Sequence, residues 1–188
     1  MSPQQCLAGI QTKLKKAGLY SGEVDALWGP LTKSAIMALQ DALQAPDDPL
    51  GALDPVSGKV STFGGPDDVG VTPSEGLWCF PEDKIPAGFE SLFLSVQPPG
   101  TSGLARRLNP DKFYIACRWF GKTSVDVESR RKLRLLRYRV SANGKSVVCQ
   151  PADWGPAEWT KRIADISPGA ADALGVKTDD VVTVELVS

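Results

Sequence analysis

Hydrophobic spacing separates the chain into an N-terminal helical part and a longer part rich in strands. Apolar residues recur at helical spacing from Leu7 to Leu14, and Gly18 is expected to end that helix. A second amphipathic segment follows, for which Thr32 is the expected N-cap. The pattern therefore predicts helices between residues 5 and about 44.

The C-terminal part carries a hairpin signal. Apolar runs at Leu135–Val140 and Ser146–Cys149 flank Asn143-Gly144, and both turn residues tolerate the positive φ of a type I′ turn. Val181–Val187 is predicted to be the final strand.

Two aspartates, Asp153 and Asp165, lie between these strands on a segment predicted to be irregular. Ser167 is the expected cap of a short helix over Pro168–Leu174, with Gly175 as its stop. Binding and catalytic residues are often found on loops held by a rigid β scaffold. This segment is therefore the first candidate for a functional site.

The middle of the chain gives weaker signals. Residues 46–59 are rich in proline and glycine and are predicted to be a linker. A first strand is expected near Val60, and Phe89–Val96 could form another. Lys112–Phe120 and Arg130–Arg139 are also predicted strands, the second with a charged face.

Charge and hydropathy exclude several classes of partner. The 188 residues carry a net charge of −1, so no general attraction to nucleic acid or anionic membrane is expected. The basic run Arg130–Arg139 is interpreted as a solvated strand face rather than a nucleic-acid patch. No run reaches the ~18 apolar residues of a membrane span. No signal peptide is visible after Met1, so trimming or another export route is expected.

Histidine is absent, and the four cysteines form no C-x-x-C pair. A zinc site is therefore not expected, and a Ser-His or Cys-His nucleophile within the chain is excluded. We expect no metal and no cofactor, with carboxylates as the proton carriers. Cys117 and Cys149 are expected to be buried thiols, while a disulfide among these two, Cys6 and Cys79 remains an alternative.

The C-terminal motifs occur in a recognisable order. They are Asn143–Val148 (Asn-Gly-Lys-Ser-Val-Val), Asp153–Pro156 (Asp-Trp-Gly-Pro), Arg162–Ser167 (Arg-Ile-Ala-Asp-Ile-Ser) and Ala170–Gly175 (Ala-Ala-Asp-Ala-Leu-Gly). This run resembles the last part of a double-psi β-barrel of the rare lipoprotein A type. Val60–Gly65 resembles the first strand of expansin-type barrels. The resemblance implies a six-stranded double-psi β-barrel.

The N-terminal motifs carry a second resemblance. Ile10–Leu14 (Ile-Gln-Thr-Lys-Leu) and Gly18–Thr32, which contains Gly-Glu-Val-Asp-Ala-Leu-Trp-Gly, resemble a small helical peptidoglycan-binding domain. The resemblance implies that Tyr20, Asp25 and Trp28 contact the polymer, with the aromatic rings stacking on sugar faces. The alternative is a helical hairpin that only packs on the barrel.

Four carboxylates are candidate catalytic groups, because glycosidic cleavage needs a proton donor for the leaving oxygen. A single aspartate suffices for a lytic transglycosylase, where the sugar's own hydroxyl replaces water. Asp153 beside Trp154 is the first choice, since it matches the aspartate taken as catalytic in rare lipoprotein A-like enzymes. Asp165, which matches an expansin aspartate, is second, and Asp67 or Asp68 is third.

Thr62, Trp154 and Arg162 complete the predicted substrate site on the barrel. In the alternative interpretation, Asp153 and Asp165 only bond loop amides and hold the loops in place. The absence of the histidine that rare lipoprotein A carries favours this alternative.

We therefore predict an α+β protein of two domains: a small helical bundle at residues 1–45, a linker at 46–59 and a six-stranded double-psi β-barrel at 60–188. It is predicted to be a monomer that binds and cleaves peptidoglycan outside the cytoplasm, encoded by a bacterium or a phage. Asp153 is the predicted acid/base of a lytic-transglycosylase-type reaction. The alternative is a non-catalytic, expansin-like protein that binds or loosens the wall.

Overall fold

The computed structural model describes residues 3–16, 18–43, 55–82, 84–117 and 127–187. The first two ranges contain two helices that contact each other, and the others form a closed six-stranded β-barrel with short helices in its connections. The α+β class is thus confirmed at this level. None of the helices within these ranges is long and apolar enough to cross a membrane.

The two N-terminal helices are α1, Pro3–Lys16, and α2, Pro30–Leu43. Gly18 ends α1 as predicted, with a φ of 74°. The carbonyl of Leu14 accepts the amides of Leu19 and Tyr20, the two residues that follow Gly18.

The predicted N-cap of α2 is wrong. The helix begins at Pro30, whose fixed φ and missing N–H suit a first helical position. Thr32 lies inside the helix and is buried, and its hydroxyl donates to the carbonyl of Leu27. The proline sets the start of the helix, so the threonine hydroxyl is available to the loop before it.

Gln11 of α1 organises the loop between the two helices. Its side chain is fully buried, and its Oε1 accepts the amide of Ala26 at 2.8 Å. Its Nε2 lies 2.8 Å from Asp25 Oδ1, 2.9 Å from the Leu27 carbonyl and 3.0 Å from Thr32 Oγ1. An amide nitrogen carries two hydrogens, so these acceptors compete for it. One buried side chain of α1 thus holds the end of the loop that leads into α2.

The barrel has six strands in the closed order β1-β5-β2-β4-β3-β6. The pairs β1·β5 and β2·β4 are parallel, and the other four pairs are antiparallel. The strands are β1 (Val56–Thr62), β2 (Tyr114–Cys117), β3 (Arg137–Ala142), β4 (Lys145–Trp154), β5 (Ala164–Ile166) and β6 (Val181–Val187).

The pairing has a two-fold pattern along the sequence. Exchanging β1, β2 and β3 with β4, β5 and β6 leaves every pair and its direction unchanged. The hydrogen bonds just after the strands follow the same rule. The Phe63 amide donates to the Ile166 carbonyl after β1, and the Gly155 amide donates to the Cys117 carbonyl after β4. The barrel is therefore built from two equivalent three-strand units.

Local signals in the C-terminal part are confirmed. Asn143 and Gly144 have φ values of 53° and 71°, and they join β3 to β4. Ser167 Oγ accepts the amide of Ala170 at the start of the short helix α5, Pro168–Leu174. Gly175 ends this helix in a left-handed conformation.

Two predicted strands are wrong. Phe89–Val96 contains a 3-10 turn at Glu90–Leu92 and a single bridge. The consecutive residues Leu92 and Phe93 are both buried, whereas a strand with one buried face would alternate buried and exposed side chains. The first part of Arg130–Arg139 belongs to the helix Val127–Leu133, and the strand begins only at Arg137. The other short helix of the barrel connections is Leu104–Arg107.

Two strands differ from their predicted bounds. β1 begins at Val56 rather than near Val60, because its first residues pair with β6. β2 covers only Tyr114–Cys117 of the predicted Lys112–Phe120, and residues 118–126 lie outside the described part of the chain. The domain boundaries at 45 and 60 stay a prediction.

Replacing Gln11 with Leu should destabilise the helical unit by about 2 kcal/mol, because the Ala26 amide and the Leu27 carbonyl lose a buried partner. Calorimetric unfolding of the full chain measures this change, with Thr12→Ala on the exposed face of α1 as the control. An unchanged unfolding profile for Gln11→Leu would contradict this role.

Candidate functional site

The two leading carboxylates lie in one row across the barrel wall. Asp153 of β4 and Asp165 of β5 are both register partners of Ala116 in β2, and Asp165 also pairs with Ser61 of β1. Residues opposite each other on neighbouring strands point to the same face. The four side chains therefore share a face, with the aspartate Cα atoms about 10 Å apart, or two strand spacings.

This face lies opposite the apolar interior. In β5, Ala164 and Ile166 on either side of Asp165 are fully buried, whereas Asp165 is only partly buried. Under the two-fold pattern, Asp153 occupies the position equivalent to Ser61, and Asp165 the position equivalent to Ala116. Neither carboxylate therefore has an acidic counterpart in the other half of the barrel.

A bulge sets the orientation of Asp153. Ile115 pairs with Pro151 while Ala116 pairs with Asp153, so Ala152 is the extra residue in β4. Pro151 has no N–H to donate, which suits a strand position beside a bulge. The expectation that Asp153 and Asp165 lie on irregular backbone is wrong, since β4 and β5 extend through them.

Asp153 anchors a neighbouring loop. Its Oδ1 accepts the amides of Trp78 and Trp154, each at 2.8 Å. One residue further along this loop, the amide of Cys79 donates to the carbonyl of Ala152 in the bulge. Oδ1 of Asp153 therefore holds this loop and the end of β4 together.

Asp153 also borders a cleft of about 580 Å³. Its lining combines aromatic and apolar side chains with three carboxylates. The lining residues are Ser74, Glu75, Gly76, Leu77, Trp78, Phe80, Pro81, Glu82, Ser102, Gly103, Leu104, Asp153 and Trp154. The cleft lining thus contains Asp153 and Trp154, whereas Asp165 is not part of it.

Asp165 faces β1 and the end of β4. Its Oδ1 accepts a short hydrogen bond from Ser61 Oγ. A Cβ atom at Gly155 would lie 3.3 Å from its Oδ2, so this glycine leaves room for the carboxylate beside the backbone. Asp165 is therefore next to the segment that follows Asp153, although it lies outside the cleft.

Arg162 is held by Asp179. Its Nε lies 3.0 Å and its second terminal nitrogen 3.3 Å from the two carboxylate oxygens. These hydrogen bonds, with a smaller effect from the charge of Asp165, raise the pKa of Arg162. The guanidinium is thus near Asp165, but its donors are directed to Asp179.

The third-choice carboxylates are not brought to the cleft. Asp68 accepts the amide of Gly64 at 2.6 Å and that of Gly70 at 2.7 Å, so both of its oxygens hold the loop after β1. Asp67 is exposed on the same loop. Thr62 follows Ser61 in β1, and its side chain therefore points to the face opposite the carboxylate row.

The helical unit places its predicted contact residues differently. Tyr20 is buried, and its hydroxyl donates to the carbonyl of Glu23, so its ring face is not available for stacking as predicted. Trp28 is partly buried against the core. Asp25 is exposed, and hydrogen bonds from the Leu27 amide and then Gln11 lower its pKa. The helical unit buries Tyr20 in its core, so Asp25 and part of Trp28 remain at the surface.

A cluster of charged and aromatic groups forms one wall of the cleft. Glu82 accepts hydrogen bonds from Arg134 at 2.8 Å and from Arg131 at 2.8 Å. The Arg134 guanidinium lies over the rings of Phe80 and Phe89. The basic run that the sequence suggested as a solvated face instead ties a helix to the cleft loop.

Sequence reasoning missed Ser61, Trp78, Glu75 and Glu82. Trp78-Cys79-Phe80-Pro81-Glu82 is a compact aromatic and acidic motif, and this composition was the available signal. The partnership of Ser61 with Asp165 depends on strand register, which the sequence does not display.

The described cysteines are free thiols: Cys79, Cys117 and Cys149. Cys149 is fully buried as predicted, while Cys117 is only partly buried. Burial, and then the charge of Asp153, raise the pKa of the Cys79 thiol. The side chain of Cys6 lies outside the described part of the chain.

Comparison with known proteins supports the N-terminal interpretation. Residues 8–56 match the family described as "Putative peptidoglycan binding domain". This match begins inside α1 and includes the loop that Gln11 organises and all of α2. No curated protein matches the chain. The comparison therefore bears on the helical unit and leaves the barrel to be interpreted from its geometry.

Substituting Glu82 with Gln should cost about 2 kcal/mol of unfolding free energy at pH 7, because the buried Arg134 loses a charged partner. Burial opposes ionisation of Glu82, but the hydrogen bonds from Arg134 and Arg131 outweigh it and lower its pKa. Its stabilising effect is therefore present above the ordinary glutamate pKa and is lost as the pH falls through the lowered value.

Urea denaturation of the wild type and Glu82→Gln at pH 7 and at about pH 3 measures this difference, which should shrink at the lower pH. Glu158→Gln, at an exposed position, is the matched control. A gap that stays constant between the two pH values would contradict the charge-based explanation.

Proposed function

We propose that this protein binds peptidoglycan through the helical unit and cleaves the glycan strand at the barrel. The observation that carries the binding part of the proposal is the family match over residues 8–56. Such a protein acts where peptidoglycan is, outside the cytoplasm of a bacterium, and we propose that it acts as a monomer.

We also propose that the barrel is of the double-psi type. The two parallel pairs, β1·β5 and β2·β4, and the two-fold exchange of three-strand units support this assignment. The assignment agrees with the ordered motifs from Asn143 to Gly175. The boundaries proposed for this domain follow the strands, from Val56 to Val187.

For cleavage, we propose Asp153 as the acid/base. In a lytic-transglycosylase reaction, a proton on the Asp153 carboxyl group passes to the leaving glycosidic oxygen as the bond to the anomeric carbon breaks. The sugar's own 6-hydroxyl then attacks that carbon, and its proton returns to Asp153, so no water is consumed. The cleft beside Asp153, lined by Trp78 and Trp154, supports binding of a sugar at this position. Asp165, in the same row, is proposed to stabilise positive charge that develops on the sugar.

A non-catalytic, expansin-like function has its own supporting observation. Asp153 Oδ1 holds the amides of Trp78 and Trp154, and Asp165 is bonded to Ser61. Carboxylates used in this way can serve only to fix loops around a groove that binds glycan. The two functions make the same prediction for wall binding and opposite predictions for cleavage.

Purified protein incubated with intact peptidoglycan sacculi should pellet with them and release fragments with 1,6-anhydro ends, identified by mass spectrometry. Asp153→Asn should pellet equally but release at least about a hundredfold less, as expected for loss of a general acid/base. The asparagine oxygen can still accept the amides of Trp78 and Trp154, so the fold should be retained.

Asp172→Asn, at an exposed position on α5, is the matched control and should behave as the wild type. Pelleting without release by the wild type would overturn the enzyme and leave the wall-binding function. Neither pelleting nor release would overturn both.

A further inference from the structure

Trp159 is a conspicuous side chain that the proposed reaction leaves unused. It is 84% exposed, whereas Trp78 is 8% exposed and Trp154 is partly buried at the cleft. Tryptophan normally contributes a large buried area to a core or an interface. An indole that is exposed to water on a hydrogen-bonded turn therefore suggests a binding role.

The position of Trp159 relates it to both candidate carboxylates. It lies six residues after Asp153 and six before Asp165, in the middle of the connection between β4 and β5. This connection leaves β4 at the edge of the cleft, where Trp154 lines the wall. The connection then enters β5, where the carboxylate of Asp165 lies close to Gly155.

The turn that carries Trp159 is tied internally. It is a 3-10 turn, Glu158–Thr160, in which the carbonyl of Ala157 accepts both the amide and the hydroxyl of Thr160. Lys161 follows with a φ of 58°, and its amide donates to the Glu158 carbonyl. The backbone turn that carries the indole is therefore fixed by these hydrogen bonds.

The same connection is anchored to the barrel on both sides. The Gly155 amide donates to the carbonyl of Cys117, and the Ile163 amide donates to the carbonyl of Lys59 at 2.8 Å. Arg162 adds the two-bond contact with Asp179. The backbone that carries the ring therefore has little freedom to lose on binding, which favours affinity.

We propose that Trp159 is a stacking platform for a pyranose ring of a glycan strand that runs past Asp153 and Asp165; this inference rests on the proposed function. A pyranose presents C–H groups on its face and hydroxyls at its rim. The indole face can cover the C–H groups, and the polar side chains of Glu158 and Lys161 can bind the hydroxyls.

The neighbourhood of Trp159 distinguishes a sugar from other occupants. Protein and lipid partners require a contiguous apolar patch. Here the adjacent residues of the turn are a glutamate and a threonine, and a lysine follows them. An aromatic face with a polar rim fits a single sugar ring better than it fits a broad apolar surface of a protein or a lipid.

Labelling the indole nitrogens gives a direct test, because the chain contains five tryptophans. Trp159→Phe removes one indole N–H signal and thereby assigns it. Adding peptide-free glycan strands, prepared from sacculi with an amidase, should shift the Trp159 signal of the wild type. In Trp159→Ala, the KM for release from these strands should rise roughly fivefold with kcat nearly unchanged, the size expected for loss of an aromatic stacking contact.

Three variants separate stacking from general surface effects. Trp159→Phe should retain most of the affinity, whereas Trp159→Leu, which is apolar but has no ring face, should resemble Trp159→Ala. Val96→Ala, at another exposed apolar position, should match the wild type.

The outcomes also separate this inference from the proposed function. An unshifted Trp159 signal, or a Trp159→Ala variant with wild-type KM while fragments are still released, would overturn the stacking role alone. If no signal shifts and no fragment is released, both are overturned. A shift without any release supports the stacking role and overturns only the cleavage.

Discussion

The insertion of β2 between β4 and β5 is the constraint on which the candidate site depends. β2 is only Tyr114–Cys117, yet it pairs in parallel with one neighbour and antiparallel with the other. This arrangement brings Asp153 and Asp165 to either side of Ala116. Ala116 between the two carboxylates is small and buried, and the strand spacing keeps the two charges apart.

In the proposed reaction, Asp153 would have to meet two demands that conflict. A carboxylate that fixes a loop must keep its hydrogen bonds, and a carboxylate that moves a proton must give them up in part. The amides of Trp78 and Trp154 both donate to Oδ1 beside the bulge at Ala152, so this oxygen holds the cleft loop and the end of β4 together. The wall of the cleft at Glu82 and Arg134 adds an ion pair that also supports this loop.

The sequence predicted the elements whose causes are local. Asn143-Gly144 makes its turn and Ser167 caps its helix because each depends on backbone conformation within a few residues. Features that depend on distant partners were missed or wrong. Phe89–Val96 has strand-like composition but forms a 3-10 turn. The helix Val127–Leu133 is held by the contact of Arg131 with Glu82, and Arg134, which follows it, lies over the ring of Phe80. For the site, the motif around Asp153 was informative, but the roles of Ser61 and Trp78 required the register.

The two-fold pairing has a consequence for how the barrel forms. Every strand pair joins one of β1–β3 to one of β4–β6, so neither half makes a sheet by itself. Contacts of such long sequence separation demand costly loop closure and make folding slow. During synthesis, the first three strands emerge without any partner and must remain unpaired until β4 follows the turn at Asn143. The order of emergence from the ribosome thus makes the hairpin β3–β4 the earliest sheet contact this barrel can form.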